Sequence, residues 1–383
     1  MTAALFSPLR LRGTTLPNRV AVAPMCQYSA QDGVANDWHF AHLARFALGG
    51  AGLVFVEATA VTPEGRITHG DVGLWNDAQV PPLRRIADFL RAHGSVPAIQ
   101  LGHAGRKGSV QRPWEGSAPL NGAGEPPWPT VAPSALPVQA DWPAPAELDA
   151  AGLDALRDAW RQAARRALAA GFEIVEVHAG HGYLLHQFLS PLANTRTDAY
   201  GGDRERRMRF PLEVVRIVRE EWPADRPVFV RISAVDGIDG GVSIEDSVAF
   251  AHELKASGVD VVDCSSGGLT GPATAARVQR PLGFQIPFAE RIRRDTGVPT
   301  MAVGLILDPE QADAVIRDGQ ADIVAIAREA LFNPNWPLHA RLAFDGNGGF
   351  GAWPEQAGWW LARREKELNG LGRSSLRRPS GDP

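Results

Sequence analysis

The chain has 383 residues, 44% hydrophobic and 21% charged, with a formal net charge of -4. That composition suits one large or two small soluble domains and offers no basic face for nucleic acid. No run reaches the ~18 consecutive apolar residues of a membrane span. The opening MTAALFSPLRLRG lacks the charged-then-apolar pattern of a secretory leader, so a cytoplasmic placement is expected. Two cysteines, Cys26 and Cys264, are too few for an iron–sulfur cluster.

In chain order, short β-branched runs alternate with amphipathic ones. RVAVAP (19–24) reads as a first strand and NDWHFAHLARFALGG (36–50) as a helix with a glycine stop. GLVFVEA and VPAIQLGHAG give strands two and three around the helix VPPLRRIADFLRAHG. A helix across 149–170 precedes FEIVEVHAG, and ERRMRFPLEVVRIVREEW precedes PVFVRIS. SIEDSVAFAHELKASG leads to VDVVDCSSGG, FQIPFAERIRRDTG to VPTMAVG, and PEQADAVIRDG to ADIVAIAR. Eight buried-type strands separated by helices predict a (β/α)8 TIM barrel over residues 1–345. An open doubly wound sheet would carry a G-x-G-x-x-G turn after strand one, where this chain has APMCQYSAQDG. Residues 102–145, rich in Pro, Gly and Trp, are expected to form a loop insertion or lid after strand three. Residues 346–383 form a C-terminal segment whose polar end, NGLGRSSLRRPSGDP, is expected to be disordered.

Catalytic groups of such a barrel follow the C-terminal ends of the strands. Collected in order, these are Pro24, Met25, Cys26 and Tyr28; Ala58; Gln100, His103, Arg106 and Lys107; His178, His181 and Tyr183; Arg231; Ser265, Ser266, Gly267 and Gly268; Gly304; Ala327 and Arg328. No carboxylate cluster stands among them, which argues against Mg or Ca and leaves the metal expectation at none. Gly304 and Arg328 follow the last two strands, where this architecture commonly binds a phosphate. The density of HAGHGYLLHQF (178–188) admits a metal, an anion or a proton-transfer site. A zinc hydrolase using His178, His181 and His103 or His186, or a non-catalytic phosphate binder, are the alternatives. His39 and His42, three apart on one helix, read as structural, as does His186.

The segments APMCQYSAQDGVANDWHFAHLARFALGGAGLVFVEATAVTPEGR, QLGHAGRKG, HAGHGYLLHQFLSPLANTRTDAYGG and VGLI…AIARE resemble the old yellow enzyme family of FMN-dependent ene-reductases. Cysteine followed by Gln-Tyr is similar to the bacterial branch typified by xenobiotic reductase A. The resemblance spans about residues 5–345. It implies FMN held by Gly304 and Arg328, with Ser266, Gly267 and Ala327 nearby, and Pro24, Met25, Ala58 and Gln100 along the ring. It implies Arg231 near the flavin N1 and Cys26 tuning its potential. It further implies reduction by NADPH or NADH, then hydride transfer from N5 to the β-carbon of an enone-type substrate. His178 and His181 would hold the carbonyl oxygen, Tyr183 would protonate the α-carbon, and Tyr28 would line the pocket. Arg106 and Lys107 either dock the nicotinamide cofactor's phosphates or are exposed charges. Trp114 would help cover the site. A homodimer or higher homo-oligomer is expected, with Trp360 (or its neighbour Trp359) entering a substrate pocket. Two departures stand out: strand seven has Met301 and Ala302 where xenobiotic reductase A has a tryptophan, which implies a roomier pocket on that side, and GGDRERRMRF replaces the family's more usual Ser and Asn.

Overall fold

Side-chain alternation along eight parallel strands decides what enters the barrel. The computed structural model describes residues 3–270, 279–345 and 349–372. The strands are β1 (Val20–Val22), β2 (Leu53–Ala60), β3 (Val96–Gly102), β4 (Ile174–Ala179), β5 (Val228–Ser233), β6 (Val261–Ser265), β7 (Thr300–Val303) and β8 (Ile323–Ile326). They pair in sequence order, and β8 closes on β1 with Val324 opposite Val20. The predicted TIM barrel is therefore present with all eight strands where the sequence placed them.

The lower interior is apolar. Ala21, Leu53, Phe55, Ala98, Ile174, Phe229, Val261, Met301 and Ile323 pack into one cluster. A short antiparallel hairpin, Leu9–Leu11 with Thr14–Leu16, adds Leu11 and Leu16 to that cluster and plugs the bottom. The other strand face buries against the helices in a second, larger cluster.

Several of the surrounding helices begin at side-chain caps. In α1 (Asp37–Leu48), Asn36 accepts from the Trp38 amide while the Asn36 amide donates to His39 Nδ1. Asp149 caps α2 of the outer layer (Ala150–Ala169), Asp203 caps α3 (Arg204–Glu221), and Ser243 with Asp246 forms a reciprocal cap on α4 (Ile244–Ala256). The last helix, Glu355–Gly370, carries Trp359 and Trp360. The tail expected to be disordered begins within that helix's final residues, and residues 373–383 lie outside the described residues. Among the described residues, no helix is long and apolar enough to cross a membrane.

The insertion after β3 holds two single 3-10 turns and a two-residue pairing of Val131–Ala132 with Ala146–Glu147. It is fastened to the loop after β2: Trp128 Nε1 donates to the Glu64 carbonyl at 3.0 Å, and the His69 ring meets the Trp128 ring edge-on at 4.9 Å.

Candidate active site

Inward-facing positions become polar one pleat above the apolar layer. There Gln100, Glu176, Arg231 and Asp263 replace the apolar residues two positions earlier in each strand, and Glu57 takes the equivalent place on β2. All five are nearly inaccessible. The mouth thus does have carboxylates, set just below the positions expected to hold none. They project into a buried network, and among the described residues no three His, Cys, Asp or Glu side chains gather as metal ligands.

Above this layer, His178 stands one residue before the end of β4, and the chain turns sharply through His181 (φ 57°) and Gly182 (φ 74°). A Cβ on Gly182 would strike the Gly268 carbonyl, and one on Gly268 would lie 2.8 Å from His181 Cα. The loops after β4 and β6 therefore interlock backbone to backbone. Lys107 ties the knot: its Nζ donates to the carbonyls of His181 at 2.9 Å and Gly268 at 2.7 Å, and it lies 5.2 Å from the centre of the Tyr183 ring. Burial and then Arg106 push its pKa down to about 7. Arg106 is also buried and donates to the carbonyls of Leu136, Pro137 and Leu269. Neither is an exposed charge: both side chains are buried, and loop carbonyls take Lys107 Nζ and the terminal nitrogens of Arg106. Lys107→Met is expected to lower the unfolding free energy by about 2–3 kcal/mol, the worth of buried charge-assisted hydrogen bonds. Urea denaturation checks this; an unchanged midpoint would mean that the backbone interlock alone holds the loops.

His178, His181 and Tyr183 converge. The His178 ring centre is 5.0 Å from that of His181 and 5.1 Å from that of Tyr183. Burial, followed by the charge of Arg231, holds both imidazoles well below the usual histidine range, so both are neutral. Gly180 donates to His178 Nδ1 at 3.3 Å, which leaves the hydrogen on Nε2. His178 Nε2 then meets His181 Nδ1 at 3.2 Å, and His181 Nε2 meets Ser265 Oγ at 2.6 Å. Ser265 and Ser266 donate to Gln285 Oε1, and Gln285 Nε2 donates to the Val303 carbonyl. The two imidazoles are thus links in a hydrogen-bond chain across half the mouth. Each ring here satisfies its polar atoms through a neighbour.

Tyr183 has its phenol pKa raised, first by burial and then by Cys26 and Asp71, so it keeps its proton. Tyr28 is shifted the same way and receives the edge of the Trp114 ring at 5.8 Å, which places the insertion against this side of the site. Cys26 is kept as a thiol by burial and by Glu57 and Asp71, with the Ala58 backbone and the Tyr28 hydroxyl as partners. Glu57, absent from the sequence-derived set, accepts from the Gln27 amide at 3.0 Å and so fixes the loop carrying Cys26 and Tyr28. His186 is fully buried, accepts from the Gly182 amide at 2.8 Å and sets Nε2 2.8 Å from Asp236 Oδ1; it braces the turn rather than merely packing. His39 and His42 take separate partners, Asn36 and Arg45, and form no pair.

A cleft of about 220 Å³ lies between the ends of β5 to β8. Arg231, Arg280 and Arg328 line it together with Ser266, Gly304 and Ala327. Arg280 and Gln285 were not anticipated; Gln285 begins a helix, and Arg280 stands in a loop. At Gly304 (φ 117°), a Cβ would come within 2.9 Å of the Gln285 amide and the Phe284 ring. Three guanidinium groups around small residues fit an anionic, phosphorylated group. Gly267 donates to the Val235 carbonyl at 2.7 Å and shapes the loop beside it. Ala58 lines a smaller cavity with His103, His178 and Tyr183. Pro24 and Met25 lie half-buried in the loop after β1. Gln100 lines neither cavity, and its Nε2 donates to Glu176 at 2.8 Å.

One further correction follows from strand alternation. Met301 points into the lower barrel core and Ala302 into the helix-facing core, so neither fills space at the mouth; Val303 does. Trp359 and Trp360 are 49% and 65% exposed and line neither of these two cavities.

Residues 4–344 match the NADH:flavin oxidoreductase / NADH oxidase family. The chain is 44% identical over 342 residues to an NADPH dehydrogenase of Geobacillus thermodenitrificans (strain NG80-2), covering 89% of this chain and 94% of that protein. An NADPH dehydrogenase of Listeria innocua is 44% identical over 340 residues, with 88% and 94% covered. Among solved structures, morphinone reductase in complex with tetrahydroNAD is similar at a TM-score of 0.72 and 31% identity, covering 88% of this chain and 90% of that one. A 2-naphthoyl-CoA reductase complex gives a TM-score of 0.78 at 25% identity, with 88% and 51% covered.

Proposed function

Because the chain belongs to the NADH:flavin oxidoreductase / NADH oxidase family, as an FMN-dependent, NAD(P)H-consuming enzyme of the old yellow enzyme type, we propose that it reduces the activated C=C bond of α,β-unsaturated carbonyl compounds. The observation that carries this reading is two neutral imidazoles and a protonated phenol gathered at one barrel mouth. Bound FMN supplies the hydride, received from the nicotinamide and passed to the alkene.

The residues that would hold it are Ser266, Gly304 and Arg328 at the phosphate, with Ala327, Gly267, Pro24, Met25, Ala58 and Gln100 along its length. The chemistry left to the side chains is charge and proton handling. Hydride gain at the β-carbon drives electron density onto the carbonyl oxygen. His178 and His181 take that charge as neutral N–H donors, which requires the His181 ring to turn from Ser265 towards the substrate oxygen. Tyr183 then delivers its proton to the α-carbon. Cys26, a thiol throughout, and Arg231 shape the electronics of the flavin, and Tyr28 forms a wall of the substrate space. We read the chain as a homo-oligomer in which Trp360 reaches the site of a neighbouring copy; the exposure of Trp359 and Trp360 supports this.

The purified protein is expected to absorb at about 450 nm, to bleach with NADPH under anaerobic conditions, and to recover its colour on addition of cyclohex-2-enone. Bleaching by NADPH with no recovery across a panel of enones would retain the flavin oxidoreductase and eliminate alkene reduction.

A further inference from the structure

Arg231 does not stand alone in the cleft. It is the inward residue of β5, and the barrel register sets it opposite Asp263 on β6 and His178 on β4. Its Nε lies 2.9 Å from Asp263 Oδ2, and the Asp263 side chain has no exposure at all. Off-line geometry makes this an ion pair rather than an aligned hydrogen bond, since neither Nε nor either carboxylate oxygen completes one. Glu176, also fully buried, sits beside the pair and accepts from Gln100 Nε2 at 2.8 Å, while its second oxygen finds no partner.

Below this group the barrel is hydrocarbon; above it is the cleft that Arg231 lines. A buried acid with one ion-pair partner and no aligned donor is costly to keep. The apolar residues of the next pleat down show that the barrel can fill such a position without one. Asp263 therefore does something packing does not.

We infer that Asp263 is a positioning residue that pins Arg231 through Nε, turns its terminal nitrogens to the cleft, and cancels part of its charge, thereby lowering the reduction potential of bound FMN. This rests on the reading above that Arg231 faces the flavin. An unpaired guanidinium there would stabilise the extra negative charge of the reduced ring and make it a reluctant hydride donor. A guanidinium paired from below keeps its hydrogen bonds but exerts a weaker field. Glu176 contributes less: burial and Asp263 push its pKa well above the usual carboxylate range, whereas Asp263, raised by burial to about 6, is held down by Arg231.

The test is the midpoint potential of the FMN holoenzyme by spectroelectrochemical titration. Asp263→Asn is expected to favour the reduced flavin by about tenfold in the two-electron equilibrium, an upward shift of about 30 mV. Glu176→Gln is expected to give less than half that shift, and Arg231→Met a shift in the opposite direction. An unchanged or lowered potential in Asp263→Asn, with FMN content and thermal unfolding intact, overturns the inference. So does an equal shift in Glu176→Gln. If Arg231→Met leaves the potential in place, the placement of Arg231 against the flavin is what has failed. Should Asp263→Asn not accumulate, Asp263→Ser makes the same change of charge.

Discussion

Tyr183→Phe is expected to leave reduction of the flavin by NADPH within a few-fold of the parent and to slow alkene reduction by about 10²–10⁴-fold, the usual worth of a placed general acid. The substitution removes one hydroxyl and keeps the ring that packs against His178 and under Lys107. Anaerobic stopped-flow of the two half-reactions separates the outcomes. Equal slowing of both would mean that Tyr183 organises the site rather than donating a proton. The environment adds a pH signature. Burial, Cys26 and Asp71 all raise the phenol, so the donor form persists, and the alkene half-reaction should stay flat from about pH 6 to about pH 9, below the ordinary phenol pKa of ≈ 10. A rate that falls through neutrality would point to a different donor.

His178→Ala is the second large effect. Loss of one preorganised donor to a developing oxyanion costs about 10²–10³-fold in rate, or about 3–4 kcal/mol. His178 is the more exacting of the two donors to lose, because its Nε2 also orients His181. Removing it should weaken binding of phenolate ligands as well as slow enone reduction. Titration with p-hydroxybenzaldehyde, followed by its long-wavelength band with the oxidised flavin, reads this directly. Unchanged affinity would remove His178 from the anion site. Ser265→Ala provides the comparison: it removes the partner of His181 Nε2 and should affect the ligand far less.

Much of this architecture can be read from the sequence because parallel strands buried on both faces are written as short β-branched runs, and helices as longer amphipathic ones. The same property hides part of the site. In IVEVHA and VVDCS, a lone acid inside an apolar run shows little sign of its depth, so Glu176 and Asp263 went unnoticed beside His178 and Ser265. Strict alternation backwards from those two residues would have found both. Lys107 and Arg106 were misread for another reason. Buried cations usually answer to acids, whereas these answer to backbone carbonyls that only the folded loops bring within reach. The hairpin that plugs the barrel is two three-residue strands, too short to carry a period.

The interlock of the loops after β4 and β6 bears on how the specificity of this protein can be changed. Along that arc, backbone touches backbone and no side chain larger than hydrogen fits at Gly182 or Gly268. Libraries aimed there would return unfolded protein rather than new substrates. The opposite arc is built from side chains on loops, Tyr28 after β1 and the exposed Trp114 of the insertion. Diversification confined to those two positions and their neighbours leaves the histidines and the tyrosine where they stand, and there the substrate range of this scaffold is open to selection.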